Sequence, residues 1–451
     1  MTELSVSKIA DIVGGKLYGD GSVSVSGVCT DSRKTQQRDI FVALRGEVFD
    51  GNDFLADIDG KVGAAICERE VRVSYPIIVV EDSLAALTKL SEYYAKNIIA
   101  PDITVSLTGS VGKTTTKEMV ASVLSENFKT AYTKGNFNNH IGVPLTLLSV
   151  EEDDKALVCE MGMNHKGELL HLSGLVDSDI AIITNIGHSH IENLGSREGI
   201  RDAKLEILNG LKKDGTFIIN GDEPLLADVP FEGKVIRVGF GDGCDVWGDG
   251  VVMGDAEIEY TLHTKDFETR ISLPCTGRHN VINSMFAAAV GFASGMDIDA
   301  IQRGLMNYKS VGMRQNIYFK NGIRVIADCY NAGIESMFAS LTLLSELSCD
   351  GKRIAVLADM LELGEISDEA HRNVGEKAAE CKIDLVLTFG KAARLITEKA
   401  GSMGIFAKHF ETKEELAREL SGTLKDGDTV LFKASHSMKL EEVISLAELE
   451  K

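Results

Sequence analysis

The stretch from Val105 to Val120, VSLTGSVGKTTTKEMV, constrains the fold of this chain more than any other. An apolar run at residues 103–107 predicts a strand, a glycine-containing turn follows it, and apolar residues at helical spacing begin at Met119. Gly109 and Gly112 carry no side chains that would block an anion, so backbone N–H groups and the helix N-terminus can face a polyphosphate. The segment predicts a strand, a phosphate-binding loop and a helix of an α/β protein.

The loop chemistry agrees with this prediction. Lys113 would place a positive charge on the outer phosphates, and the Thr114 hydroxyl is placed to coordinate magnesium. The general pattern G-x-x-x-x-G-K-T would need glycine where this chain has Leu107, so the loop is the shorter T-G-x-x-G-K-T-T-T. A surface turn without a ligand is the alternative, but the flanking strand and helix favour nucleotide binding. We predict nucleotide contacts at Gly109, Ser110, Val111, Gly112, Lys113, Thr114 and Thr115.

Length and composition limit the class of protein. A chain of 451 residues is too long for one compact core, so we expect two or three domains. The formal net charge of -21 disfavours nucleic acid or an acidic membrane surface as a partner. The cysteines form no C-x-x-C pair, and no run approaches the ~18 apolar residues of a membrane helix. We predict a cytoplasmic protein without membrane insertion, and we expect a monomer.

Hydrophobic periodicity divides the chain into three α/β regions. Residues 1–98 mix a helix-like segment with short strands and predict a small domain. Residues 99–311 predict a mainly parallel sheet covered on both faces, with an added hairpin region at 245–273. Residues 312–451 predict a second doubly wound sheet, joined to the first through residues 312–314. The strands expected in the two larger regions are 103–107, 156–160, 180–185, 216–220, 324–327, 354–357, 385–389 and 429–432.

Polar residues at strand ends are the next candidates for chemistry. Glu160 and Asn185 follow apolar strands, and open α/β sheets bind ligands at the carboxyl ends of their strands. Magnesium could be shared between Glu160 and Thr114, although a surface glutamate is the alternative. His188 and His190 lie beyond the second of these strands without a Cys/His set at zinc spacing. One of them could approach the phosphates, and an ordinary loop histidine is the alternative.

Three further residues have a functional and an ordinary interpretation. Lys204 belongs to an amphipathic helical pattern, and its position alone favours a surface lysine. A buried lysine of lowered pKa could instead react with carbon dioxide and become a carbamate, an oxygen ligand for a second metal ion. Ser32 and Arg33 could hold a phosphate or a sugar on a loop, whereas a solvated turn is the commoner explanation.

Several strings in this order resemble the Mur ligase family over nearly the whole chain. The string at Asn138-Asn139 resembles the members that add D-alanyl-D-alanine. Departures from the family pattern occur in the last region, at Gly333-Ile334 and in Lys433-Ala434-Ser435-His436. The matching strings are Thr108–Thr116, Gly135–Thr146, Glu160–Gly162, His190–Lys204, Thr276–Asn283, Asp328–Asn331 and Asp359–Glu365.

The resemblance implies a three-domain ATP-dependent ligase with a UDP-substrate domain, a central ATP-binding domain and a Rossmann-like C-terminal domain. It would join D-alanyl-D-alanine to UDP-N-acetylmuramoyl-tripeptide through an acyl phosphate and make a peptidoglycan precursor. The third residue of the peptide, diaminopimelate or lysine, stays open. A sister ligase that adds a different amino acid or dipeptide is one alternative. A nucleotide-binding regulator without ligase activity is another.

Matching positions give the metal-site residues. The resemblance implies that Lys113 and Thr114 hold the ATP phosphates and magnesium, with Glu160 as the other ligand of that ion. His190 and a carbamylated Lys204 would hold a second magnesium ion. Lys113, Lys204 and His190 are therefore the predicted catalytic residues.

The remaining matches concern the nucleotide and the UDP substrate. The resemblance implies that Asn280 and Asn283 lie near the adenine. Arg314 and Asp328 match groups that close over ATP from the linker and the last domain. The Ser32-Arg33 pair matches the region that receives the UDP end of the substrate.

Overall fold

The computed structural model describes residues 1–241, 243–310 and 315–451. These residues form three main sheets, of five, nine and six strands, and a small two-stranded ribbon. The predicted junction at 312–314, including Arg314, lies outside the described residues. Each main sheet carries helices, so the mixed α/β class predicted from the periodicity is confirmed.

The five-stranded sheet comes first in the chain. Its strands run in the order β2-β7-β6-β5-β4 and are parallel except for β2. Helix α1 begins after Ser5, whose side chain accepts a hydrogen bond from the Lys8 N–H, and ends at Gly14 with φ 71°. The elements are β1 (Leu4–Ser5), α1 (Val6–Val13), β2 (Lys16–Tyr18), β3 (Ser24–Val25), β4 (Gly27–Cys29), β5 (Asp39–Val42), β6 (Ala64–Cys67), β7 (Ile77–Val79) and α2 (Ser83–Asn97).

The nine-stranded sheet has the order β16-β15-β14-β13-β12-β11-β8-β10-β9. It is parallel from β9 to β14 and antiparallel through β16. The elements are β8 (Ile103–Thr108), α3 (Lys113–Leu124), β9 (Thr130–Tyr132), α4 (Gly142–Ser149), β10 (Ala156–Glu160), α5 (Glu168–Gly174), β11 (Ser178–Ile183), α6 (Ile191–Leu194), α7 (Arg197–Leu205), β12 (Leu211–Asn220), β13 (Lys234–Gly239), β14 (Val246–Met253), β15 (Ile258–Thr264), β16 (Glu268–Leu273), α8 (His279–Ala293) and α9 (Ile298–Met306).

The position of β8 determines where a ligand can bind. Strand β8 lies between β10 and β11, and the chain visits one side of it before the other. Such a change of direction opens a crevice beyond the carboxyl ends of the strands. The residues that follow β8, β10 and β11 therefore converge at one edge of the sheet.

The six-stranded sheet has the order β17-β18-β22-β19-β20-β21 and is parallel except for β17. This arrangement confirms the second doubly wound sheet. The elements are β17 (Asn316–Lys320), β18 (Ile323–Asp328), α10 (Ile334–Glu346), β19 (Arg353–Ala358), α11 (Ser367–Glu380), β20 (Leu385–Phe389), α12 (Arg394–Ser402), β21 (Phe406–Phe410), α13 (Lys413–Thr423), β22 (Thr429–Lys433) and α14 (Glu441–Leu446).

The nine-stranded and six-stranded sheets touch at two separate places. At the first, the turn between β14 and β15 presents Asp255, which accepts hydrogen bonds of 2.7 and 2.8 Å from the Ser348 hydroxyl. The Arg324 guanidinium lies 3.2 Å from the same carboxylate. At the second, the loop after β11 meets the start of α10 and the segment after β19. There the Glu335 carboxylate accepts from His188, and Glu362 lies 2.6 Å from His190 Nδ1.

Candidate functional site

The turn between β8 and α3 requires glycine at two positions. Gly109 has φ 155° and Gly112 has φ 83°, a region that L side chains rarely adopt. A Cβ on Gly109 would lie 1.9 Å from the Thr184 hydroxyl, and one on Gly112 would lie 2.8 Å from Asn283 Oδ1. The backbone can therefore turn tightly and leave the N-terminus of α3 open toward an anion.

Side chains from the carboxyl end of β11 hold this loop. Asn185 Oδ1 accepts hydrogen bonds of 3.0 Å from the N–H groups of Ser110 and Val111. The Lys113 ammonium donates to the Gly109 carbonyl at 2.7 Å. The Ser110 hydroxyl in turn accepts from the Gly187 N–H at 2.9 Å. The loop is fixed in place by its neighbours, and the segment after β11 is attached directly to it.

Thr114 and Glu160 meet, as the sequence predicts. The Thr114 hydroxyl lies 2.8 and 3.0 Å from the two carboxylate oxygens of Glu160, which is 1% exposed. The Asn138 amide donates to Glu160 Oε1 at 2.8 Å. A hydroxyl and a carboxylate at the mouth of a phosphate loop are the oxygen ligands that magnesium prefers when it shares its shell with phosphate and water.

Neither metal site has enough protein ligands to bind an ion on its own. Among residues 1–241, 243–310 and 315–451, no group of three or more His, Cys, Asp or Glu side chains is placed to hold a metal ion. This agrees with the chemistry of magnesium, which is commonly bound by one or two carboxylates together with substrate phosphates. The Thr114–Glu160 pair fits such an ion.

Lys204 is buried, so the expectation from helix position alone is wrong. The residue is 2% exposed, and burial, with a smaller contribution from Lys113, lowers its pKa well below the ordinary value. Burial also lowers the pKa of His190, an effect opposed by Glu362 and increased by Lys113 and Lys204. The three predicted catalytic residues thus lie within electrostatic reach of one another. A neutral Lys204 amine is the form that can react with carbon dioxide.

The two asparagines of α8 lie against the phosphate loop. Asn283 Oδ1 accepts from the Thr116 hydroxyl at 3.2 Å, and Asn283 Nδ2 donates to Asn280 at 3.1 Å. The Asn280 amide also donates to Gln315 Oε1 at 3.2 Å. Both asparagines are 4% exposed, so this network is held rigidly beside the loop. No contact in the structure tests their predicted nearness to adenine.

Asp328 faces this network from the six-stranded sheet. Its carboxylate accepts hydrogen bonds of 2.7 Å from the Lys433 ammonium and 2.8 Å from the Ser340 hydroxyl. Burial lowers the pKa of His279, while a hydrogen bond with Gln315 and the charge of Asp328 raise it. The Asp328–Lys433 pair therefore lies within electrostatic reach of the start of α8.

The Ser32-Arg33 pair lies on an exposed turn of the first sheet. The Arg33 guanidinium donates to the Asp31 carboxylate at 2.8 and 2.9 Å, and its side chain is 85% exposed. Hydrogen bonds with Arg33 lower the pKa of Asp31 to about 2. Both the solvated-turn and the substrate-binding interpretations are compatible with this geometry. The described contacts of Ser32 and Arg33 do not reach the phosphate loop.

Two site contacts were missed from the sequence. Glu335 at the start of α10 accepts from His188 Nδ1 at 2.6 Å and from the His188 N–H at 3.1 Å. A Cβ on Gly187 would lie 2.7 Å from the Glu335 carboxyl carbon, so this close approach needs glycine. The Glu362–His190 contact is the other. Glu335 lies 147 residues beyond His188 and has no local pattern that would mark it.

This fold and site define a class of protein: a multidomain α/β protein with a nucleotide-phosphate loop at the edge of a parallel sheet and a second doubly wound sheet facing it. Residues 107–291 match the family model of the Mur ligase middle domain. Residues 313–436 match that of the Mur ligase, glutamate ligase domain. The chain belongs to the Mur ligase family, and within it to the MurF group.

Full-length relatives support this assignment. The UDP-N-acetylmuramoyl-tripeptide–D-alanyl-D-alanine ligase of Bacillus subtilis (strain 168) is 40% identical over 455 residues, covering 98% of each chain. That of Escherichia coli (strain K12) is 35% identical over 452 residues, with the same coverage. A crystal structure of MurF from Acinetobacter baumannii has a TM-score of 0.91 at 30% identity and full coverage of both chains. MurF from Thermotoga maritima, solved with ADP, has a TM-score of 0.82 at 30% identity, covering 94% of this chain and 97% of its own.

Proposed function

We propose that this protein is an ATP-dependent peptide ligase that joins D-alanyl-D-alanine to UDP-N-acetylmuramoyl-tripeptide. The observation that carries the proposal is the 98% coverage of both chains in the match to the Bacillus subtilis ligase named for this reaction. The product is the UDP-linked pentapeptide precursor of peptidoglycan. The phosphate loop and the Thr114–Glu160 contact supply the site that ATP use requires.

The proposed division of labour follows the three sheets. Residues 1–98 bind the UDP end of the substrate through Ser32 and Arg33, residues 99–311 bind ATP, and residues 312–451 admit the dipeptide. No described helix is long and apolar enough to cross a membrane. We place the enzyme in the cytoplasm as a monomer that binds neither nucleic acid nor membrane.

Each side chain at the ATP end has a proposed role. Lys113 neutralises charge on the outer phosphates, and residues 109–115 cradle them with backbone N–H groups. Thr114 and Glu160 hold a magnesium ion, which supplies Lewis-acid stabilisation of the phosphoryl oxygens when bound. Asn280 and Asn283 flank the nucleotide, and Asp328 faces it from the C-terminal domain. The same role is proposed for Arg314.

The reaction proceeds by acyl transfer. The terminal carboxylate of the tripeptide attacks the γ-phosphorus of ATP, the bond to the bridging oxygen breaks, and ADP leaves. The amine of D-alanyl-D-alanine then attacks the acyl phosphate, and phosphate leaves as the peptide bond forms. Docking of the C-terminal domain over the loop excludes water, which would otherwise hydrolyse the acyl phosphate.

A carbamylated Lys204 is the second part of the proposal. The buried amine with a depressed pKa is neutral and can take up carbon dioxide to give a carboxylate-like ligand. His190 lies within its electrostatic reach and would be the partner ligand of a second magnesium ion. Oxygen and imidazole donors at this position fit an ion that bridges the γ-phosphate and the substrate carboxylate.

Phosphate release with a panel of substrates tests the proposed function. The purified protein should release phosphate from ATP only when UDP-N-acetylmuramoyl-tripeptide and D-alanyl-D-alanine are both present. Release with single amino acids or other dipeptides, but not with D-alanyl-D-alanine, would instead identify a sister ligase. Nucleotide binding without substrate-dependent release would identify a regulator. Diaminopimelate- and lysine-containing tripeptides should be compared in the same assay.

A further inference from the structure

Lys117 is a fully buried cation next to the ATP site that the proposed reaction does not use. It lies on α3 one turn after Lys113, and its side chain is 0% exposed. Its ammonium donates to the Thr133 carbonyl at 2.6 Å and to the Gly135 carbonyl at 3.4 Å. A buried ammonium costs several kcal/mol of desolvation unless it is paired and hydrogen-bonded, so this position needs compensating partners.

The partners of Lys117 include the predicted magnesium ligand. Its ammonium lies 2.8 Å from Glu118 Oε1 and 4.0 Å from Glu160 Oε2, and 5.7 Å from the centre of the Tyr132 ring. Glu160 is itself 1% exposed. Two carboxylates therefore share one buried ammonium, and this charge supports an ionised Glu160.

Thr133 connects Lys117 to Glu160 a second time. Its carbonyl accepts from Lys117, and its hydroxyl accepts from the Glu160 N–H at 3.0 Å. Five residues later, Asn138 donates its amide to Glu160 Oε1 at 2.8 Å and its carbonyl accepts from the Gly162 N–H at 2.7 Å. The segment 133–138 thus runs past Glu160, with Lys117 at one end and Asn138 at the other.

We propose that Lys117 is a positioning residue for the ligase reaction: it fixes segment 133–138 and thereby orients the Glu160 carboxylate toward Thr114. This inference rests on the proposed function, because it concerns the magnesium–ATP end of the same site. Groups that orient a metal ligand typically change metal affinity or activity by roughly 10- to 100-fold when they are removed. Lys117 does not touch the nucleotide loop backbone in the described contacts, so ATP binding without metal should persist.

The direction of the magnesium dependence distinguishes positioning from simple charge. Removing a nearby positive charge would by Coulomb's law strengthen the binding of a divalent cation. Loss of the orientation of Glu160 weakens it. We expect Lys117→Met to raise the magnesium concentration for half-maximal activity by roughly tenfold and to lower kcat. Its affinity for an ATP analogue without magnesium should change less than about threefold, since Lys113 and the loop are intact.

The experiment compares Lys117→Met and Lys117→Gln with Lys129→Met in phosphate release, magnesium titration and thermal unfolding. Lys129 is a half-exposed lysine that pairs with Glu151 and Asp153, and its variant should behave as the wild type. Thr133→Val tests the same link if the Lys117 variants do not fold, because it removes the hydroxyl that accepts from Glu160 and keeps the side-chain volume. It should raise the magnesium requirement in the same direction.

An unchanged or lowered magnesium requirement in a folded Lys117 variant, or in Thr133→Val, would overturn the inference. A loss of thermal stability without a shift in magnesium dependence would do the same, since that is the result of a purely structural role. Failure of the wild type to release phosphate with both substrates would refute the proposed function instead. The two failures are therefore distinguishable in one set of measurements.

Discussion

The contact between Glu335 and His188 gives the sharpest prediction about domain docking. Glu335 begins α10 of the C-terminal domain, and His188 lies in the loop that is bonded to the phosphate loop through Gly187 and Ser110. Burial raises the pKa of Glu335, but hydrogen bonds with His188 outweigh it, so the net pKa is below the ordinary value. Glu335→Gln would keep the shape of the side chain and remove its charge.

The structure sets the size of the expected effect. The carboxylate accepts two hydrogen bonds, of 2.6 and 3.1 Å, and a hydrogen bond to a charged group contributes about 1.5–3 kcal/mol. Both side chains are 31% exposed, and the glutamine amide can still accept a bond, so solvent screening reduces the loss to about 1–2 kcal/mol. Since 1.4 kcal/mol is a factor of ten, docking of the C-terminal domain should weaken by roughly 5- to 30-fold.

Single-molecule energy transfer between dyes on the central and C-terminal domains would measure the docked fraction directly. Glu346→Gln, at the exposed end of the same helix, is the matched control and should leave docking unchanged. A double-mutant cycle with His188→Ala should give a coupling of about 1 kcal/mol. If Glu335→Gln and Glu346→Gln have the same docked fraction, or if the coupling is below about 0.3 kcal/mol, the contact does not hold the domains together.

Three further predictions concern the ATP end of the site. Lys113→Met should reduce ATP turnover by at least about 100-fold, because charge stabilisation of the transferred phosphoryl group is lost; normal turnover would refute the assignment. Glu160→Gln should raise the magnesium requirement by roughly tenfold in a magnesium titration, while Glu168→Gln, an exposed control, should not. Carbon-13 NMR with labelled bicarbonate should show a carbamate that Lys204→Ala lacks. The signal should persist above the depressed pKa of Lys204 and fade as the pH drops through it, because only the neutral amine reacts.

Much of the fold follows from hydrophobic periodicity. Strands at 156–160 and 385–389 have the predicted bounds, and the predicted hairpin region at 245–273 is the antiparallel part of the nine-stranded sheet. Both strands are short apolar runs bounded by polar residues, which is the pattern of a strand buried in a parallel sheet. The strand at 234–239 was missed because its charged and half-exposed positions break that pattern.

The site was less predictable than the fold. The phosphate loop and Glu160 follow from local patterns at a strand end, and the structure brings Thr114 and Glu160 together. Burial of Lys204 does not follow from its helix, because a lysine on an amphipathic pattern is usually solvated. The Glu335–His188 contact depends on how two domains pack, and no local sequence rule specifies such a long-range pair.

The two separate contacts between the nine-stranded and six-stranded sheets have a consequence for how the enzyme opens. Asp255 holds Arg324 and Ser348 at one place, while His188 and Glu335 meet at the other. A domain attached at one point can swing gradually, whereas two distant attachments on rigid sheets must break together. Opening should therefore be cooperative: weakening either contact would destabilise the docked state as a whole, and intermediate angles between open and docked forms should be sparsely populated.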